Sequence, residues 1–233
     1  YDHALQLDPN SAAIHYSMGI LLIQTGKEGA AIEHFREASR IDPGLAATHL
    51  QLANLLMRNG KDEEASREYA TVAELDPENR FARLMQSMAL IHAGFYDQGR
   101  KVLEEASAAF PNDPDIANAL ARLLAAAPDS AVREEGRALR IIERLVRNQQ
   151  GDAFEEGLTY AMALAAVGRF KEAFFYQQAI IQQLESSREF TLARQLRVNL
   201  DLYAHEKPCS RPWVPDDPIF HPVPGKLELS MGN

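Results

Sequence analysis

A period of 34 residues runs through the first half of the chain and constrains its fold more than any other feature. Four prolines are separated by this interval, and three glycines are separated by the same interval at another position of the repeat. The matching positions are Pro9, Pro43, Pro77 and Pro111, and Gly26, Gly60 and Gly94. A fixed period of this length is typical of proteins built from stacked repeats, each of which buries its apolar face against its neighbours. The sequence therefore predicts a repeat array.

Each repeat is predicted to contain two helices joined by a short turn. Apolar residues recur at intervals of three and four, as Ala31, Phe35 and Ala38 do. The glycine column supplies a positive φ angle at the end of the first helix, and the proline column closes the second helix. A small residue at Ala31, repeated at Ala65 and Gly99, lets the two helices approach closely.

The period is carried by three segments: MGILLIQTGKEGAAIEHFREASRIDP, LANLLMRNGKDEEASREYATVAELDP and MALIHAGFYDQGRKVLEEASAAFP. They resemble tetratricopeptide repeats of the bacterial type, and the resemblance extends over roughly residues 1–185. It implies an all-α fold, a right-handed superhelical solenoid of antiparallel helix pairs. The family's motif is specific, because small, large, glycine and proline positions all recur in phase.

The repeat pattern divides the chain into consecutive units. Residues 1–11 resemble the second helix of a truncated repeat, so we expect the array to be longer. Complete repeats follow at residues 12–45, 46–79 and 80–113, here called repeats one, two and three. Residues 114–150 resemble a degenerate repeat with an insertion between its helices at residues 128–132. Residues 151–185 are repeat-like, although Ala179 falls one residue early for its small-residue position.

The chain beyond the repeats is predicted to close the array. Ser186 and Glu189 match a capping box, which predicts a capping helix over residues 186–206. Residues 207–233 are rich in proline and predict an extended tail. The prolines of this tail are Pro208, Pro212, Pro215, Pro218, Pro222 and Pro224.

Composition excludes several classes of function. The formal net charge is −9, which disfavours binding to nucleic acid or to an anionic membrane surface. No apolar run approaches the roughly 20 residues that cross a bilayer, so we predict no membrane insertion and a soluble protein, cytoplasmic or periplasmic. The single cysteine, Cys209, excludes an internal disulfide framework and any site built from several cysteines.

The family resemblance places the binding surface on the concave wall, which the first helices of the repeats line. Mostly apolar and containing methionine, this groove is suited to an amphipathic helix or an extended apolar peptide of a protein partner. We expect Asn54, Arg58, His92 and Arg122 to make the strongest contacts, since polar groups in an apolar groove orient a ligand. The predicted groove residues are Tyr16, Ile20, Leu50, Asn54, Met57, Arg58, Leu84, Met88, His92, Asn118 and Arg122.

Other chemistry finds little support in the sequence. The chaperone-binding clamp and the asparagine ladder of sugar-transferring relatives both need residues that are missing here. His15 and His49 share one repeat position, which is expected to pack between the two helices of a unit rather than to bind metal. No nucleophile motif or phosphate-binding loop occurs, so we predict no catalysis, cofactor or metal. The acidic clusters at residues 62–64 and 104–105 are interpreted as solvated helix faces.

The tail contains the only tryptophan, Trp213, with Phe220 close behind it. Two interpretations stay open: a strap packed along the last repeats, or a segment inserted into another subunit or a partner. Cys209, if exposed, would be a point for cross-linking or modification.

The sequence favours a non-catalytic scaffold or adaptor that binds a peptide or helix of a partner protein. One alternative is the assembly or targeting region of a larger enzyme, such as a glycosyltransferase or a multihaem redox protein, whose active module lies outside this chain. Another is a homo-oligomer formed through the ends of the array or through the tail.

Overall fold

The fold is all-α in the computed structural model, which describes residues 2–148, 151–214 and 217–222. This part of the chain forms twelve α-helices and one short 3₁₀ turn, and it contains no β-strand. The tail prolines Pro215 and Pro224, which the sequence marked as extended, lie outside the described residues. The chain divides into two compact units, residues 1–102 with 215–233, and residues 103–214.

The first unit contains the early repeats. Its helices are α1 (Asp2–Leu7), α2 (Ala12–Gln24), α3 (Glu28–Ile41), α4 (Ala46–Arg58), α5 (Asp62–Leu75), α6 (Arg80–His92) and the start of α7 (Tyr96–Ala109). Helix α2 packs against α3, and α4 against α5, so repeats one and two are each one helix pair. Successive pairs are joined by packing of α3 on α4 and of α5 on α6.

The glycine turns form as predicted. Gly26, Gly60 and Gly94 all have positive φ angles, of 72°, 69° and 86°. In the first of these turns the backbone N–H of Lys27 donates to the carbonyl of Leu22 at 2.8 Å, which satisfies a carbonyl at the end of the helix. The left-handed conformation costs an L-residue roughly 1 kcal/mol or more, which explains why glycine recurs there.

The second helix of each repeat contributes the centre of the core in the first unit. Ala31 and Phe35 are fully buried, as are their counterparts Ala65 and Tyr69 one repeat later. The Phe35 ring lies so close to Gly19 that a Cβ atom added there would be 2.7 Å from it. A residue without a side chain at Gly19 therefore lets the large ring fill the space between the two helices.

The second unit contains the looser repeats. Its further helices are α8 (Pro114–Ala126), α9 (Glu135–Asn148), α10 (Ala153–Ala166), α11 (Phe170–Ser186) and α12 (Phe190–Ala204). The insertion predicted between the helices of the degenerate repeat lies between α8 and α9. Val132 anchors it by being almost fully buried, and the N–H of Glu134 donates to the carbonyl of Leu124 at 3.0 Å.

The predicted capping box was wrong. Ser186 is the last residue of α11, and its hydroxyl donates to the carbonyl of Gln182. Helix α12 starts only at Phe190, and Glu189 makes no side-chain cap. Arg188 adopts a φ angle of 65°, so the chain turns there instead of starting a helix. A capping helix therefore follows the repeats, but with later and shorter bounds.

Residues 207–214 run without regular structure, as the prolines predicted, but the next segment turns. Pro218–Phe220 forms the 3₁₀ turn, capped by Asp217, whose carboxylate accepts from the N–H of Ile219 at 3.1 Å. None of the helices in the described part of the chain combines the length and apolar character that crossing a membrane requires.

Candidate partner-binding surface

The predicted groove residues fall on the first helices of their repeats, but many are buried. Leu50, Asn54, Met57 and Met88 are 7%, 2%, 1% and 0% exposed. Helices α4 and α6 are packed from several sides, so positions that the family pattern assigns to the groove lie in the interior here. In this conformation these side chains pack beneath the surface of the array and are not exposed to a partner.

The side chain of Asn54 makes a hydrogen bond within its own repeat. The hydroxyl of Tyr69 donates to its side-chain oxygen at 2.7 Å, and both groups are buried. Burial also raises the pKa of Tyr69 far above its usual value. Asn54 was expected to contact a ligand, but the structure uses it to satisfy a buried hydroxyl.

Four other predicted residues are half-buried at the helix surface: Tyr16, Ile20, Leu84 and Asn118. Tyr16 contacts Phe35 edge to face, with ring centroids 5.7 Å apart, and burial raises its pKa. The side-chain oxygen of Asn118 is buried and has no hydrogen-bond partner among the described residues. The accessible part of the predicted set is therefore smaller than the sequence indicated.

Arg58 and His92 occupy the same position in successive repeats, and each is held by an acid. Arg58 pairs with Glu28 at 2.9 Å, and the Nδ1 atom of His92 lies 3.0 Å from the carboxylate of Asp62. Glu28 and Asp62 are the first residues of α3 and α5, so this arrangement also repeats. Asp62 is mostly buried rather than solvated, which corrects the interpretation of its cluster as a solvated face.

His92 supports an aromatic ring in the first unit. Phe220, from the 3₁₀ turn, stacks on the imidazole with centroids 4.2 Å apart and planes 13° from parallel. Phe220 is only 3% exposed. Because the hydrogen bond with Asp62 fixes the orientation of the imidazole, His92 offers a flat, preorganised platform.

Arg122 supports a second aromatic ring, within the second unit. Its guanidinium carbon lies 5.6 Å from the centroid of the Trp213 ring, and its Nη1 atom donates to Glu155 at 2.7 Å. Arg122 is itself 6% exposed. Such a cation over an aromatic face contributes about 0.5–2 kcal/mol, and more when desolvated.

Cys209 is buried beside these residues, not exposed. It is 3% exposed, and burial raises the pKa of its thiol. Its Sγ atom contacts the carbonyl of Arg211 at 3.1 Å. A buried, protonated thiol is a poor nucleophile, so Cys209 packs here and is not a point for cross-linking.

Comparison with known proteins agrees with this architecture. A family profile described as Tetratricopeptide repeat matches residues 22–88 and 69–123. The chain belongs to the tetratricopeptide-repeat family. No curated protein matches the sequence.

Several solved tetratricopeptide-repeat structures have a similar fold. A tetratricopeptide repeat protein from Parabacteroides merdae superposes with a TM-score of 0.69 at 13% identity, over 84% of this chain and 74% of that one. MamA from Desulfovibrio magneticus RS-1 gives 0.62 at 16% identity, over 76% and 96%. YrrB gives 0.61 at 14% identity, over 84% and 96%. At these identities the likeness concerns the fold.

Sequence reasoning missed the acids that orient the polar surface of this tetratricopeptide array. Glu28 and Asp62 keep the repeat period, and each precedes its basic partner by 30 residues. The sequence therefore contained a repeated acid–base pair that could have been found. The pairing of Glu155 with Arg122 gave no such signal, because Glu155 follows the insertion that breaks the period.

The histidine column of the array packs as predicted, between the two helices of a unit. His15 contacts His34 and His49 contacts Glu68, each from the first helix to the second. Among the described residues, no cluster of three or more histidine, cysteine, aspartate and glutamate side chains is placed to hold a metal ion.

Proposed function

We propose that the protein is a non-catalytic scaffold or adaptor that binds a peptide or helix of a partner protein on the first helices of its repeats. Tetratricopeptide-repeat proteins generally mediate contacts between proteins. The proposal assigns polar residues of those helices, above all His92 and Arg122, as the groups that hold the partner.

The proposal rests on one observation: on each of two first helices, a polar side chain contacts an aromatic ring from the segment that follows the last α-helix. Phe220 stacks on His92, and Trp213 lies over Arg122. Asp62 and Glu155 anchor these two residues from other helices. Since the platforms are already oriented, binding an aromatic side chain costs little further ordering, which is the property of an interaction hot spot.

Two further facts support a protein ligand. YrrB, whose fold is similar, is described as a TPR protein with an unusual peptide-binding site. The net charge of −9 disfavours nucleic acid as the ligand.

The proposal is tested by selecting peptides against the full chain. A random peptide library displayed on phage is panned on the protein, and recovered peptides are labelled and measured by fluorescence anisotropy. Two variants remove the platforms without removing their anchors: His92→Asn still donates to Asp62, and Arg122→Lys still pairs with Glu155. We expect at least one of them to weaken binding about tenfold, because neither asparagine nor lysine presents the same flat cation or ring.

Matched controls make the same exchanges at exposed sites. His205→Asn and Arg67→Lys should leave the affinity unchanged, since both residues are exposed. If peptides bind equally well to all four variants, the partner surface lies elsewhere; if panning recovers no binder, the proposed function fails.

A further inference from the structure

We infer that a row of arginines on the exposed side of α9 is a second interaction surface, and that it binds an acidic α-helix of a partner protein. The row, which we call the arginine row, consists of Arg140, Arg144 and Arg147. The inference goes beyond the proposed function, because α9 is the second helix of its repeat and the proposed partner site lies on first helices. It follows from the exposure of these side chains and from the ion pairs that they do not make.

The arginine row lies along one side of α9, within the second unit. Its three members are exposed and follow one another at intervals of four and three residues. Ala138, Ile142 and Leu145, on the opposite side of the helix, are buried. At a rise of about 1.5 Å per residue, the row extends for roughly 10 Å along the helix.

The members of the arginine row form no ion pair with any other described residue, although acids lie nearby. Arg137, three residues before the row, pairs with Glu104 at 2.5 Å and with Glu134 at 3.4 Å. Glu143, which falls within the row in sequence, lies 3.7 Å from Arg169 instead. The acids around the row therefore pair with other arginines, and the charge of the row is available to a partner.

The arginine row opposes the stability of the isolated helix. Like charges three and four residues apart on a helix repel each other, so Arg144 is unfavourable beside both of its neighbours in the row. The helix dipole favours Arg147 in the last turn, but it does not account for Arg140 near the middle of α9. Gly136 is exposed as well, and the nearest side-chain atom to a Cβ added there would be a guanidinium nitrogen of Arg140 at 3.6 Å. Alanine, the better helix former, would therefore fit, and residue choices that oppose local stability are expected at functional surfaces.

The chemistry of the row and its surroundings favour a narrow acidic partner. Guanidinium groups bind carboxylates through two parallel hydrogen bonds. Two exposed acids lie beside α9: Glu105 follows the partner of Arg137, and Glu172 pairs with Arg169. A flat anionic membrane or a DNA duplex would meet these acids together with the row, whereas a single helix covers the row alone.

An α-helix carries acids at the spacing that the arginine row requires. Because both helices rise about 1.5 Å per residue, acids at intervals of four and three come opposite the three guanidinium groups when the helix axes are nearly aligned. Exposed ion pairs contribute little affinity each, so here they set the register and the choice of partner. Leu139 and Val146 flank the row and are half-buried, so their exposed parts offer apolar contacts to the same helix.

The test selects helical peptides against the full chain. A library built on an alanine-rich helix with one randomised face is panned on the protein, and recovered peptides are labelled and measured by fluorescence anisotropy. We expect them to carry acids at intervals of three and four residues. The variant that combines Arg140→Gln, Arg144→Gln and Arg147→Gln should bind them about tenfold more weakly, because three charge-assisted contacts are lost.

A matched control removes the same number of positive charges outside α9. The control combines Lys61→Gln, Arg67→Gln and Arg194→Gln, all at exposed positions. Its affinity should stay within about twofold of the parent's at about 0.15 M salt, where charges more than about 8 Å apart are largely screened. Circular dichroism verifies that both triple variants keep their helices.

An exchange of charges tests whether the contact is direct. Arg144→Glu should weaken the binding of a selected peptide, because it places a carboxylate opposite the middle acid of that peptide. Replacing this acid by lysine should restore binding to the Arg144→Glu variant and should weaken binding to the parent chain.

Several results would overturn the inference. Panning could recover no binder or only peptides without acids, both triple variants could lose affinity equally, or the lysine peptide could fail to restore binding. Phosphatidylserine-rich vesicles or a short DNA duplex that bind the parent but not the arginine-row variant would assign the row to a membrane or a nucleic acid instead. A dimer of the parent that this variant lacks would make a second copy the partner. These outcomes are separate from the proposed function, whose peptides depend on His92 or Arg122.

Discussion

Repeat one (residues 12–45) and repeat two (residues 46–79) share a backbone and differ in the chemistry that joins their helices. Each has a first helix of 13 residues, a glycine turn and a second helix of 14 residues. The central residue of the second helix is Phe35 in repeat one and Tyr69 in repeat two, and both are fully buried. The added hydroxyl of Tyr69 is matched by Asn54, where repeat one has Ile20.

The comparison teaches that these repeats change polar residues in pairs. A buried hydroxyl without a partner costs about 1–3 kcal/mol, so the tyrosine is tolerated because an asparagine faces it. At the histidine column only one member of the pair differs: His15 meets His34, whereas His49 meets Glu68. The fold fixes the positions, and each repeat fills a facing pair of positions with its own compatible pair.

The largest expected loss of stability comes from a feature that the two repeats share, the buried aromatic ring at the centre of the second helix. Phe35→Ala should lower the free energy of unfolding by about 3–5 kcal/mol, because the ring fills the space between two helices. Urea denaturation followed by circular dichroism measures it. Phe175→Ala, at a ring that is 68% exposed, is the matched control and should cost less than about 1 kcal/mol. Similar losses at the two sites would contradict the assignment of Phe35 to the core.

The second-largest loss of stability concerns the position at which the two repeats differ, where Asn54 accepts a hydrogen bond from Tyr69. Asn54→Ile alone should cost about 1–3 kcal/mol, because it leaves the Tyr69 hydroxyl without an acceptor. The double variant Asn54→Ile with Tyr69→Phe has the same residues as repeat one at these two positions, and it should recover much of the lost stability. A double-mutant cycle measures the coupling, which we expect to be about 1 kcal/mol or more. Additive losses would mean that the two residues are not a unit.

Much of the fold could be predicted because it depends on local, repeated residues. The glycine turns, the small residue at Ala31 and the large one at Phe35 each act within one helix pair, so a period in the sequence is enough to find them. The late bounds of α12 could not be predicted in this way. Ser186 and Glu189 match a capping pattern, but the preceding helix continues through Ser186 and the turn forms at Arg188.

The binding surface was less predictable, because exposure depends on packing from neighbouring helices. One position along a helix is a rotation of about 100°, so a polar residue such as Asn54 points outward or inward after a small shift of register. The docking of Phe220 on His92 joins residues far apart in sequence, and a proline-rich segment has no period that would indicate where it folds back.

A smaller effect tests whether the turns of the two repeats are equivalent. Gly26→Ala and Gly60→Ala should each cost about 1–2 kcal/mol, because both residues have positive φ angles. An added Cβ atom meets nothing within 4 Å at either site, so the cost comes from the backbone alone. The two losses, measured by urea denaturation, should therefore agree. A clear difference would show that a neighbouring contact distinguishes the turns.

The smallest effect concerns the histidine pairs. In repeat two, the Nε2 atom of His49 donates to the carbonyl of Pro43 at 3.1 Å, so its Nδ1 atom can donate to Glu68 only when the imidazole is charged. The hydrogen bond with Glu68 accordingly raises the pKa of His49. In repeat one, His15 makes the same bond to the carbonyl of Pro9, but its other nitrogen faces His34.

Changing the partner of His49 should change the sign of its response to pH. Because the pKa of His49 is raised on folding, its contribution to stability is complete below about pH 6.5 and is lost as the pH rises through the folded value. The free energy of unfolding, relative to that of Glu68→Gln, should fall by about 1 kcal/mol between about pH 6 and pH 8.5. Glu68→His, which copies the pair of repeat one, should reverse the trend, because two charged imidazoles in contact repel each other on acidification. The same pH dependence in parent and Glu68→Gln proteins would exclude the His49 pair as its source.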